Sequence, residues 1–190
     1  EIASNTLVFG VDMDGLARAY PIPLLIPHHI VNDKLGERPI MAGYCPACRS
    51  GFIYDPIVRG RRLTFEPVTV RRRNMVMKDR ESGSIWQHET GVCLIGEYNG
   101  EQLVLLKSEM CNWETWKKEH PDTEACFRPE HYRHPSPLGH IFGILLDNGP
   151  KHMVGPGLRK IDRRLGQHDL IAGVVVNETA KAYPMKALQD

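Results

Sequence analysis

Two stretches near opposite ends of this 190-residue chain spell the same β-hairpin, and that recurrence constrains the fold more than any other feature. The first runs Val8-Phe9-Gly10-Val11-Asp12-Met13-Asp14-Gly15-Leu16-Ala17-Arg18-Ala19-Tyr20-Pro21. Asp14-Gly15 between alternating apolar runs is a two-residue turn signal, because such turns need positive φ and Gly adopts it without strain. The second occupies residues 171–184. Gly10, Val11, Ala17, Ala19, Tyr20, Pro21 and Leu25 return as Gly173, Val174, Ala180, Ala182, Tyr183, Pro184 and Leu188, all at an offset of 163. This predicts a single β-rich domain over residues 1–190 with an internal repeat, hairpin 8–25 returning at 171–188. The second copy ends before any counterpart of the Cys-Pro-Ala-Cys segment described below, so the repeat is partial or the chain is a fragment of something longer.

Between the copies the text is mostly β. Residues 62–70, 74–79, 84–90, 92–95 and 102–106 are short runs separated by Gly-containing turns such as Glu81-Ser82-Gly83. One helix is expected from Asn112, as its cap, to His120, with Pro121 ending it. Trp113 and Trp116, three apart, share a helix face and read as core. Residues 128–164 are rich in Pro, Gly and His and read as a long irregular connection. The expected class is mainly β, a hairpin-based sandwich or barrel with one or two short helices.

At 42% apolar the chain can bury a core, and its formal net charge of +1 gives no general attraction to nucleic acid. The apolar stretches near residues 22–26 and 141–146 fall far short of the roughly 20 residues that span a bilayer. No charged and then apolar leader pattern opens the chain. It begins at Glu1 rather than Met, which leaves room for a leader already removed.

The chemistry concentrates at Cys45-Pro46-Ala47-Cys48. Ile40-Met41-Ala42-Gly43-Tyr44 and Gly51-Phe52-Ile53-Tyr54 flank it and read as strands, which puts two thiols at a hairpin tip where they can converge. The pair can hold a metal, exchange with thiols, or brace the turn. A metal would need further ligands, since zinc and copper(I) take three or four. His28-His29 upstream and His88 on an expected strand supply imidazole. Side chains alternate along a strand, so one of each neighbouring pair faces the site. The expected ligand set is Cys45, Cys48, His29 and His88, with copper as the leading metal and zinc or iron as alternatives. A thioredoxin-like role fits less well, because the pair leads into a strand rather than opening a helix.

Other groups read more plainly. His131, His134, His140, His152 and His168 read as solvated loop residues. The alternative is a metal at His131-x-x-His134, which Pro135 and Pro137 disfavour by breaking a helix there. Cys93, Cys111 and Cys126 are expected to pack as small hydrophobes. Arg71-Arg72-Arg73 is a basic run that reads as a solvated edge strand, or as an anion site in which Arg72 and Arg73 bind a substrate carboxylate, sulfate or phosphate. Nucleic-acid binding lacks the expected aromatic interleaving. Asp33, Asp55 and Asp79 follow strand-like runs as turn formers or general bases.

The ordered pieces Val8–Pro21, His28–Asp33, Tyr44–Ser50, Asn74–Arg80, Ser84–Gln87 and Trp113–Thr123 resemble the DUF3179 family. In family terms they read V-x-G-V-x-x-x-G-x-A-x-A-Y-P, H-x-I-V-N-D, Y-C-P-x-C-x-S, N-x-V-M-x-D-R, S-x-W-Q and W-x-x-W-x-x-x-H-P-D-T. The resemblance covers most of the chain and implies a mainly β domain, often exported or membrane-anchored, hence an extracytoplasmic location. It implies no reaction. The chain departs from the pattern at His29, where Glu is usual, at His88, where Gln is usual, and near Thr69-Val70-Arg71. Two of these departures introduce imidazole. The resulting expectation is a transition-metal-dependent oxidoreductase acting on a small, anionic substrate. The competing expectation is a non-catalytic extracytoplasmic binding module with a Cys45–Cys48 clip or disulfide.

Overall fold

The computed structural model describes residues 2–46, 48, 50–71, 74–126, 164–165, 171–177, 179–184 and 187. The chain divides into two compact units, residues 1–148 and 149–190. In the first, the elements run β1 (Leu7–Met13), β2 (Leu16–Pro21), α1 (Ile22–His28), β3 (Ile30–Leu35), β4 (Arg38–Cys45), β5 (Ser50–Asp55), β6 (Ile57–Val58), β7 (Arg61–Arg62), β8 (Phe65–Arg71) and β9 (Asn74–Asp79). They continue with β10 (Ile85–Gln87), β11 (Cys93–Ile95), β12 (Val104–Leu105), β13 (Ser108–Asn112), α2 (Trp113–Glu119) and β14 (Glu124–Ala125). The second unit contributes β15 (Ile171–Val176) and β16 (Thr179–Pro184).

The expected β-rich class with two short helices is what the structure has. Its main sheets are three open four-stranded ones, ordered β13-β1-β2-β14, β12-β5-β4-β3 and β11-β10-β9-β8. None closes into a barrel among the described residues. No described helix is long and apolar enough to cross a membrane. The expected connection over residues 128–164 lies almost wholly outside the described residues.

Local chemistry explains the elements. Asp14 and Gly15 both take positive φ, 55° and 77°, and turn β1 into β2 as the sequence predicts. Pro21 precedes α1 and Pro23 stands in its first turn, where a missing N–H costs nothing. The predicted helix is α2, and Asn112 does sit at its N-cap position. Its side chain, however, makes no capping bond. The first-turn donors are satisfied from the N-terminal segment instead, Trp113 N–H to the Thr6 carbonyl (2.8 Å) and Glu114 N–H to the Ser4 carbonyl (3.0 Å).

Three clusters make the core of the first unit. Phe9, Val11, Tyr20, Leu25, Ile40 and Ile53 pack between the β1-β2 hairpin, α1 and the β3-β4-β5 sheet. Met41, Tyr54, Phe65, Met77 and Trp86 fill the space toward the β8-β11 sheet. Trp116 of α2 lies on Val8 and Ala19, its Nε1 donating to Thr123 Oγ1 at 2.8 Å. Asn32 ties two sheets together: its amide donates to the Phe65 carbonyl and its carbonyl accepts from Phe65 N–H, both at 2.8 Å. Two part-buried bonds on one side chain fix β3 against β8, and a residue that cannot make both leaves Phe65 backbone groups short of a partner.

Candidate functional site

β4 and β5 form the hairpin that the sequence places around the cysteines, paired from Met41–Tyr54 to Cys45–Ser50. At its tip Cys45 and Cys48 are joined as a disulfide, with Cα atoms 5.3 Å apart. This corrects the expectation of two thiolate metal ligands at Cys-Pro-Ala-Cys. Here the sulfurs are bonded to each other, and a disulfide sulfur has no thiolate charge to offer a metal. Cys45 is buried and Cys48 half-buried against the same cluster. Cys93, Cys111 and Cys126 are in no disulfide among the described residues, Cys93 buried as expected of a small hydrophobe and the other two half-buried.

The imidazoles arrive from two directions. His29 lies between α1 and β3 with φ at 60°, a conformation in which a non-glycine residue stores about 1–3 kcal/mol of strain. Its N–H donates to the Leu25 carbonyl (2.6 Å) and its carbonyl accepts from Tyr44 N–H (2.8 Å), so it is held beside the end of β4. His88 was expected on a strand. β10 ends at Gln87, and His88 instead begins the turn toward β11. Its backbone N–H donates to the Met75 carbonyl (3.0 Å), and the Tyr54 hydroxyl bridges the carbonyls of His88 (2.8 Å) and Glu89 (3.1 Å). Asn74 holds Glu89 through its side-chain amide at 2.8 Å. The His88 ring meets the edge of Phe52 with centroids 5.2 Å apart and stands directly over Gly43.

Four buried side-chain polar atoms among the described residues lack a hydrogen-bond partner, and they belong to three neighbouring residues. They are His29 Nδ1, both ring nitrogens of His88, and Ser50 Oγ. All three residues sit against the Gly43–Cys45 end of β4. Ile30, which follows His29, pairs with Gly43, Ser50 pairs with Cys45, and His88 covers Gly43. Buried polar groups are almost always satisfied, so this gathering is the candidate site, with the Gly43 backbone as the neighbour that the His88 ring does meet. Burial drives the His88 pKa down to about 4, the Gly43 backbone opposing this and the charge of His29 adding to it. At neutral pH its imidazole is therefore uncharged and keeps a lone pair.

The remaining sequence candidates separate from this place. Arg72 and Arg73 lie outside the described residues. So do His131, His134, His140, His152 and His168. The three aspartates are structural. Asp33 accepts from Arg18 (2.8 Å) and Tyr20 (2.9 Å), Asp55 accepts from Ile57 N–H (2.9 Å), and Asp79 accepts from Trp86 Nε1 (2.8 Å) and from Ser82. Burial works to raise the Asp33 pKa, but Arg18, Lys34 N–H and Tyr20 outweigh it and hold the carboxylate below its ordinary range.

Sequence reasoning missed a second constellation. Glu109, Glu119 and His120 bring ligand atoms within 4.8 Å of one another, beside a cleft of about 540 Å³ lined in part by Asp12, Arg18 and Lys34. The glutamates are exposed. His120 Nδ1 already faces the Asp12 carboxylate at 3.4 Å, and its ring stacks on Trp116 at 3.9 Å. This group is exposed and already paired in part, with His120 on Asp12.

A family model described as "Protein of unknown function (DUF3179)" matches residues 1–190, the whole chain. The chain is a member of the DUF3179 family. Neither a curated protein nor a solved structure matches it. The DUF3179 motifs now have physical roles in this member. The Asn and Asp that follow His28-His29 tie β3 to β8 and to the β1-β2 hairpin, and the tryptophan helix packs on Gly10. His29 and His88 carry three of the four buried polar atoms without a geometric hydrogen-bond partner.

Proposed function

We propose that this protein binds a transition metal through His29 and His88, with copper best matched, and that the bound metal serves the oxidation of a small anionic substrate. The observation that carries this reading is the set of orphaned imidazole nitrogens gathered at the end of β4. An uncharged, desolvated imidazole is a ready ligand. It has no proton to lose first, and its unmet hydrogen-bond capacity makes an occupant favourable. Imidazole suits copper, zinc and iron, and copper heads the affinity order for such donors. The two imidazoles supply part of the three or four ligands that such a metal takes, and the metal would supply Lewis-acid or one-electron chemistry when bound. The protein's part is to hold His88 through Tyr54 and Met75, to hold His29 through Leu25 and Tyr44, and to keep Phe52 packed on the His88 ring. Arg72 and Arg73 are the groups we assign to an anionic substrate.

The test is a copper titration followed by imidazole NMR. Resonances of His29 and His88 broaden together at the first equivalent while those of His120 do not. Broadening of His120 first would move the site to the Glu109–Glu119 cluster.

A second reading is favoured by a different observation, the Cys45–Cys48 disulfide. In it the protein is a non-catalytic binding module, clipped at the β4-β5 tip, working in an oxidising extracytoplasmic compartment where such bonds persist. It predicts that reduction lowers stability and that no copper, zinc or iron binds at one equivalent.

A further inference from the structure

We infer that the β15-β16 hairpin is a preformed seat for a strand followed by a tryptophan-bearing helix, supplied by a second domain of this same fold. The first hairpin shows what such a seat holds. β13 pairs along the free edge of β1, from Leu7–Asn112 to Val11–Ser108, and α2 then lays Trp116 across the sheet. The approach is so close that a Cβ on Gly10 would stand 2.4 Å from the Trp116 ring. Val8 and Ala19, on the same face, are fully buried by it.

The second hairpin repeats the seat without the occupant. Its six cross-strand pairs, from Ile171–Pro184 to Val176–Thr179, are the β1-β2 pairs moved on by 163 positions without a slip. Asn177 takes positive φ, 48°, where Asp14 does. Gly10 returns as Gly173, yet among the described residues nothing lies within 4 Å of where a Gly173 Cβ would be. Ile171, in the place of Val8, is 50% exposed, and Ala182, in the place of Ala19, is also exposed. Among the described residues β15 pairs only with β16, and none of them stands along the edge that β1 gives to β13.

An open edge beside an apolar face is a template for strand addition, and a lone two-stranded hairpin is marginal in water. The tryptophans of this sequence are already in use. Its three tryptophans are Trp86, Trp113 and Trp116, all in the first unit, where Trp86 and Trp116 are core and Trp113 packs beside Trp116. A second domain of the same fold carries the matching strand and helix.

The test uses the whole chain and a labelled peptide of residues 104–126, with Cys111→Ser and Cys126→Ser, as the probe. Saturable binding is expected, with backbone hydrogen exchange in β15 and β16 slowed by the peptide. Gly173→Val, which meets open space in the free chain, should weaken binding by at least about tenfold, as loss of a central packed contact does. Its hairpin exchange without peptide should stay at the wild-type level. Binding unchanged by Gly173→Val, or no protection of β15 at saturating peptide, overturns the proposal. Self-association of the chain that Gly173→Val abolishes would place a second copy there instead and overturn the choice of partner.

Discussion

Gly43 and His88 share one space: a Cβ on Gly43 would stand 2.4 Å from His88 Nε2. The missing side chain on β4 is what lets the Nε2–Cδ2 edge of the imidazole come up against the strand. Gly43→Ala therefore has to push the ring out or bend β4. Overpacking of this kind costs about 1–3 kcal/mol. We expect a lower melting temperature in Gly43→Ala and a loss of copper affinity larger than that in an Ala substitution elsewhere on β4. Thermal denaturation beside copper competition with a chelator measures both.

Tyr54 acts through the backbone that carries His88. Its hydroxyl accepts nothing from the imidazole and donates to the His88 and Glu89 carbonyls. Tyr54→Phe keeps the ring and the packing and leaves those carbonyls short of a donor, for about 1–2 kcal/mol. Denaturant unfolding should show that loss, with copper affinity reduced but not abolished.

Acid should destabilise the fold through His88. Its native pKa is pushed down to about 4 from an ordinary 6.5, so between those values the unfolded chain takes up a proton that the native ring refuses. The contribution is fully present above pH 6.5 and is lost as pH falls toward 4, amounting to roughly 3 kcal/mol. In His88→Gln the slope of stability against pH in that window should flatten. An unchanged slope would mean that another group titrates there.

Thiol counting reads the hairpin tip. The denatured, unreduced chain should expose three thiols, those of Cys93, Cys111 and Cys126, and after reduction all five cysteines of the sequence. Five before reduction would return Cys45 and Cys48 to the pool of available ligands.

Much of the fold was legible because it is written in local chemistry. Asp14-Gly15 marks its turn, Asn74–Asp79 is a strand to the residue, and the β4-β5 hairpin surrounds its cysteines as the flanking runs imply. Long runs were misread where a turn hides inside apolar text. Residues 62–70 break between β7 and β8, and residues 84–90 stop being a strand at His88. The capping of α2 was illegible for another reason, since its donors are met by Ser4 and Thr6, contacts more than 100 residues away in sequence that no local pattern encodes. The site was half legible. Cysteine spacing pointed to the hairpin tip and family departures pointed to His29 and His88, but spacing cannot say whether two thiols hold a metal or each other. The role of Gly43 as the floor under His88 exists only in three dimensions, with no signal in the residues around it.

The central claim is that His29 and His88 are the metal ligands, and metal stoichiometry tests it most directly. The protein and its His29→Glu, His88→Gln double variant would be loaded with copper, desalted and analysed for metal and protein together. The account predicts about one copper per wild-type chain, in keeping with one site built from two imidazoles, and loss of that copper in the double variant. Equal copper in both proteins would contradict it, as would a wild-type chain that retains none.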